Sequence, residues 1–97
     1  MTSYTYECAP DVKWVVETRG ILIAHPDRGA YCSLPYPAAA VWDFLSRGYG
    51  ARKISEMIKY IGGFEAATEA ELYVTECLET WISAGLVRRV EGGSWDV

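Results

Sequence analysis

Residues 12–34 read VKWVVETRGILIAHPDRGAYCSL. Two turns cut this stretch into three short runs. Val12 to Thr18 is rich in β-branched and aromatic residues, the composition of a strand. Arg19-Gly20 is a tight turn, and Ile21 to His25 is a second strand. In His25-Pro26-Asp27-Arg28-Gly29 the proline suits the first corner of a turn and the glycine suits the left-handed backbone that follows. Ala30 to Leu34 is a third strand. Three consecutive strands with short connections predict an antiparallel meander.

After the meander the apolar period changes from two to about three and a half. Pro37 suits the first turn of a helix, Ala38, Val41, Trp42 and Leu45 follow at helical spacing, and Gly48 stops it. Ile54, Met57, Ile58 and Ile61 mark a second helix, ended by Gly62-Gly63. Thr68-Glu69-Ala70-Glu71 reads as a capping box opening a third helix. Its core stripe is Val74, Leu78 and Trp81, with Ile82 beside it, and Gly85 ends it. Residues 1–10 read as a lead-in closed by Pro10. Leu86 to Val90 reads as extended, and Gly92-Gly93 turns it back through Trp95 into a short C-terminal hairpin. The expected fold is α+β and winged helix-turn-helix-like, a three-stranded antiparallel sheet followed by three helices. It forms one domain over residues 1–97 with its core at about 12–87.

Composition limits the function classes. The net charge is −4 and the pI about 4.9, which disfavours general phosphate-backbone binding. Charge is segregated along the chain. Arg47, Arg52, Lys53 and Lys59 face only Glu56 in their segment, whereas Glu65, Glu69, Glu71, Glu76 and Glu79 form a stretch without Lys or Arg. The three cysteines, Cys8, Cys32 and Cys77, are far apart and show no metal or redox spacing. No signal peptide and no apolar run of ~20 residues is found. With reduced cysteines, the chain reads as cytoplasmic.

No catalytic constellation stands out. The single histidine, His25, sits at a turn, and Gly48-Tyr49-Gly50 lacks the lysine and spacing of a phosphate loop. Nothing calls for a cofactor or a metal, and the chain reads as not being an enzyme. The informative feature is the third strand. The first and third strands of a meander are edges, and edges normally carry protection. The first has Lys13 and Glu17. The third, Ala30-Tyr31-Cys32-Ser33-Leu34, has no charge. Such an edge is a template for adding a peptide as a further strand.

Over about Val12 to Val87 the sequence resembles the PqqD-like family, also called the RiPP recognition element (RiPP, ribosomally made and post-translationally modified peptide). The likeness rests on Glu17-Thr18-Arg19-Gly20-Ile21-Leu22, on Tyr31-Cys32-Ser33-Leu34, and on Ala38, Val41-Trp42, Leu45 and Gly48. It continues through Ile54-Ser55-Glu56-Met57 and Leu78, Trp81 and Ala84-Gly85-Leu86-Val87. Pro35, Lys53 and Trp81 stand where the family usually has Asn, Thr and Leu. The resemblance implies a non-catalytic chaperone that binds the leader of a precursor peptide along the third strand and third helix. The partner it implies is a peptide-modifying enzyme, such as the radical S-adenosylmethionine protein of the namesake pathway.

Mapped onto this sequence, the resemblance implies a peptide site at Ala30, Tyr31, Cys32, Ser33 and Leu34, walled by Leu72, Tyr73, Glu76, Cys77 and Thr80. Glu76 and Glu79 would favour a leader with lysine or arginine. Arg52, Lys53 and Lys59 are the candidate docking patch for the partner enzyme. Two other readings stand beside this one. In the first, the same basic residues make the second helix the groove reader of a winged-helix DNA-binding regulator. In the second, the chain is a structural adaptor whose edge strand is buried in a homodimer. No membrane partner is expected.

Overall fold

In the computed structural model, which describes residues 4–25 and 30–91, the chain runs through eight elements. They are β1 (Tyr4–Cys8), β2 (Lys13–Glu17), β3 (Gly20–His25), β4 (Ala30–Pro35), α1 (Ala38–Ser46), α2 (Ala51–Ile61), α3 (Ala67–Ser83) and β5 (Val87–Glu91). The three strands of the meander are β2, β3 and β4, in that spatial order and antiparallel. Their side chains alternate between two faces. Ile21 and Ile23 are buried on the inner face, where Leu34 lies opposite Ile21 and Cys32 opposite Ile23. Leu22, Ala24, Tyr31 and Ser33 belong to the outer face.

The inner face is covered by the helices, and Trp42 of α1 is the centre of that contact. It is fully buried, with Trp14 of β2 edge-on at 5.6 Å and Trp81 of α3 edge-on at 5.3 Å. Edge-to-face packing suits the ring quadrupoles and adds about 0.5–1.5 kcal/mol per pair beyond area burial. Val41, Leu45, Ile54, Ile58, Val74 and Leu78 fill the rest of the core.

The helix boundaries follow local chemistry. Pro37 is the N-cap of α1, and its carbonyl accepts from Ala40 and Val41. Gly48, at φ 92°, lies just past the end. Helix α3 ends in a Schellman motif. Gly85 takes φ 79°, the Leu86 N–H bonds the Trp81 carbonyl at 2.9 Å, and the Gly85 N–H bonds the Ile82 carbonyl at 3.1 Å. Leu86 is thereby folded into the core beside Trp81, and the chain leaves as β5.

Three expectations need correction, and a fourth falls outside the described residues. Residues 4–8 are not a lead-in. They form β1, which pairs antiparallel with β5 from Tyr4↔Glu91 to Cys8↔Val87, with Tyr6 and Cys8 packed on the core and Glu7 ion-paired to Arg88. Helix α3 begins at Ala67, one residue ahead of Thr68, because the Glu69 carboxylate reaches back to the Ala66 N–H at 3.2 Å. Ala66 has no oxygen to reciprocate, so only half of a capping box forms. Ile61 and Ile82 are exposed, since Ile61 comes after Ile58, the last buried residue of α2, and Ile82 lies one step round α3 from the buried Trp81. The hairpin through Gly92-Gly93 and Trp95 lies outside the described residues.

Two predictions follow from this packing. A Cβ on Gly20 would stand 2.0 Å from the Leu34 carbonyl oxygen, so Gly20→Ala must push β4 away from β3. The expected cost is about 1–3 kcal/mol in urea unfolding; an unchanged midpoint would contradict the close approach. The second concerns alkali. Burial, with Glu7 next to it, pushes the Cys8 thiol from 9.0 up to about 11. Between those values the unfolded chain loses the proton first, so the folded state is favoured less as pH rises. The Cys8 contribution should be constant below pH 9 and fall from there towards 11, and Cys8→Ser should make that part of the urea-midpoint profile shallower than in the wild type.

Candidate peptide-binding edge

Strand β4 pairs with β3 alone among the described residues, and its other edge is open. Successive residues of an antiparallel strand direct their backbone N–H and C=O alternately to the two sides. Half of the ladder groups of β4 are therefore spent on β3 and half are free. Side chains divide differently. Cys32 is half-buried and Leu34 buried against the core, while Tyr31 and Ser33 are exposed on the outer face. Leu34 can offer an incoming strand its backbone but no open side chain. Ala30 pairs with His25 at the start of the strand, and Pro35 with Gly20 at its end.

Helix α3 carries two adjacent stripes. Ala70, Val74, Leu78 and Trp81 are buried. One step round the helix, Tyr73 and Cys77 are half-buried, and Leu72, Glu76, Glu79 and Thr80 are exposed. Tyr73 and Cys77 form a linked pair. The Tyr73 hydroxyl lies near both the Ala38 backbone N–H and the Cys77 thiol, close enough for each to bias its ionisation. Phe64 supports the Tyr73 ring at 5.4 Å. Ala38 is the first residue of α1, three residues after the last residue of β4. This proximity sets the second stripe of α3 beside the segment that follows β4.

The electrostatics of the stripe are layered. Burial pushes both the Tyr73 hydroxyl and the Cys77 thiol above their ordinary values, with Cys77 adding to the first and Glu76 to the second. Both groups are neutral at pH 7. Glu76 and Glu79 then supply exposed negative charge beside a neutral wall.

The basic residues of α2 are elsewhere. Arg52 and Lys53 are exposed, and the Lys59 ammonium sits 5.8 Å from the Tyr60 ring centre. They line a cleft of about 720 Å³ between α2 and the first turns of α3, but Glu56 and Glu71 line it too. The patch is therefore of mixed charge, which suits a protein surface better than a phosphate backbone. Among the described residues no group of three His, Cys, Asp or Glu could hold a metal, and no helix is long and apolar enough to cross a membrane.

Sequence reasoning missed the Ala38–Tyr73–Cys77 link. The four-residue spacing of Tyr73 and Cys77 signals that they are neighbours on α3, but nothing local signals their contact with α1. It also missed the full exposure of β2, where Lys13 to Glu17 are exposed at every position.

No family model and no curated protein matches the sequence. Solved structures do match. One is a lasso peptide synthetase B1 complexed with the leader peptide, at 17% identity and TM-score 0.75, covering 86% of this chain and 96% of that one. Another is TbiB1 in complex with the TbiA(β) leader peptide, at 16% identity and TM-score 0.76, covering 84% and 94%. At this identity the likeness establishes the fold, and it is the fold that the resemblance to RiPP recognition elements implies: a three-stranded sheet ahead of three helices, shared with two proteins solved with leader peptides.

Proposed function

We propose that this chain is a non-catalytic binding domain for the leader segment of a ribosomally made precursor peptide. The leader is captured as an added strand on β4 and covered by the Tyr73–Cys77 face of α3. The observation that carries the reading is the open, uncharged edge of β4, with that neutral face beside its exit. The two fold neighbours solved with leader peptides support it.

Strand addition gives each bound residue a defined task. Alternate residues of the leader point to the inner side, towards Cys32 and the Tyr73–Cys77 face, and prefer apolar groups. The others point outward beside Tyr31 and Ser33. Basic residues near the helix side meet Glu76 and Glu79. Each ladder hydrogen bond contributes about 0.5–1.5 kcal/mol net, and ordering a disordered leader costs about 2–5 kcal/mol. The balance, with side-chain burial, places the affinity at about micromolar. Holding the leader then makes the encounter between the core peptide and its enzyme intramolecular.

The partner is proposed as an enzyme that acts on the tethered core peptide, with Arg52, Lys53 and Lys59 as part of its docking surface. The names of the fold neighbours carry no radical S-adenosylmethionine enzyme, and the proposal needs none. The described cysteines are unpaired, which supports action in the reducing cytosol where precursors are made. The DNA-binding reading finds no support in the mixed charge of the α2 cleft.

Two predictions test the site, using leader halves of short open reading frames encoded beside this gene and fluorescence anisotropy. Consecutive residues alternate in direction, so one of Cys32 and Ser33 presents its N–H to the free edge. Of Cys32→Pro and Ser33→Pro, the variant that keeps a native circular dichroism spectrum should lose leader binding. Retained affinity in every folded proline variant would contradict strand addition. Glu76→Lys and Glu79→Lys should each weaken a lysine- or arginine-bearing leader by roughly 1.5- to 5-fold at low salt, the range of an exposed ion pair, and less at high salt. Equal affinity at both salt concentrations would remove these carboxylates from the site.

A further inference from the structure

Strand β2 reads Lys13-Trp14-Val15-Val16-Glu17 and is exposed throughout. Trp14 touches Trp42 with one edge and remains 36% exposed, while Val15 and Val16 are 61% and 62% exposed. The strand pairs with β3 on one side only and meets no strand on the other among the described residues. Three consecutive apolar residues on an open edge make a pairing template. The charges that flank them, Lys13 and Glu17, make no ion pair among the described residues.

The order of these five residues is complementary to its own antiparallel copy. Pairing centred on Val15 sets Lys13 opposite Glu17 of the second copy, and Trp14 opposite Val16 of the second copy. The two-fold axis repeats both pairs. Lys13, Val15 and Glu17 share the outer face, so the opposite charges meet on the solvent side. Trp14 and Val16 share the inner face, where an aromatic–β-branched cross-strand pair is favourable. This pairing would cover Val16, which α1 leaves open. A slip of one residue would turn the helices of the second copy to the other side of the sheet. The charges alone would protect an edge against strangers, but they attract an inverted copy of themselves.

We infer that the chain forms a two-fold symmetric dimer through β2, its occupant being a second copy of this chain. The product is a six-stranded antiparallel sheet in which the two β2 strands are central and the two β4 strands are the outer edges. At about 4.8 Å per strand the free edges stand about 24 Å apart. The β4 edges stay open, so the inference does not depend on the proposed peptide site. A five-residue ladder is a small interface, and the expected dimer is reversible, with a Kd of roughly 1–100 µM.

Sedimentation equilibrium from about 5 to 300 µM tests it. The wild type should pass from monomer to dimer across this range. Lys13→Glu and Glu17→Lys lie on the exposed surface and leave the core untouched, and each should weaken association roughly tenfold by setting like charges opposite. An equimolar mixture of the two variants should regain wild-type association, because every cross-strand charge pair is again of opposite sign. A monomer at every concentration would overturn the inference. So would a dimer indifferent to both substitutions, or a mixture that associates no better than the single variants.

Discussion

The contact between Trp42 and its two tryptophan neighbours joins the parts of this molecule that would otherwise have no common frame. Trp14 belongs to the sheet and Trp81 to the last helix, and α1 brings Trp42 between them. A small domain buries a modest share of its surface, so one large side chain that joins its own helix to two other elements carries a disproportionate part of the packing. Pro37 sets where α1 begins, and Trp42, about one turn after Ala38, anchors that first turn against the core. The start of α1 is also where Ala38 lies near the Tyr73 hydroxyl. The placement of the α3 face relative to the end of β4 thus descends from the same core contact.

That arrangement leaves two strand edges with different characters. The β4 edge has no charge, and the segment that follows it runs to Ala38, which lies near Tyr73 of α3. The β2 edge is flanked by one positive and one negative residue and carries exposed apolar groups on both faces. A disordered peptide that gains order on binding needs a backbone ladder and a few side-chain contacts, which β4 can provide. A folded copy of the chain needs self-complementarity, which β2 has. The two edges can be used at once because β3 separates them.

Much of this was legible locally. The meander follows from β-branched runs cut by Arg19-Gly20 and by the Pro26 to Gly29 turn. The end of α3 follows from Gly85 after a buried Trp81, since a glycine in the left-handed region is what a Schellman motif needs. The uncharged edge was legible because charge is a property of composition. What escaped was set by distant partners. β1 forms only because β5 returns to it from the far end of the chain, so Tyr6 and Cys8 gave no local sign of a sheet. The start of α3 depended on which residue Glu69 reaches, and that residue, Ala66, has no side chain to advertise a cap. Ile61 and Ile82 have the right period for burial, but on α2 the buried stripe ends at Ile58 and on α3 Trp81 takes the core-facing place beside Ile82. The openness of β2 was masked by Lys13 and Glu17, which in sequence look like protection.

An amide-resolved NMR titration of labelled protein with a neighbouring leader peptide tests the central claim most directly, because it reports which edge the peptide uses. The account predicts shifts confined to residues 30–35 and 72–80, saturating at about micromolar concentration, with slowed amide exchange at the outward-facing positions of β4. Shifts confined to residues 13–17, or to residues 51–61 of α2, with β4 unmoved, would contradict it.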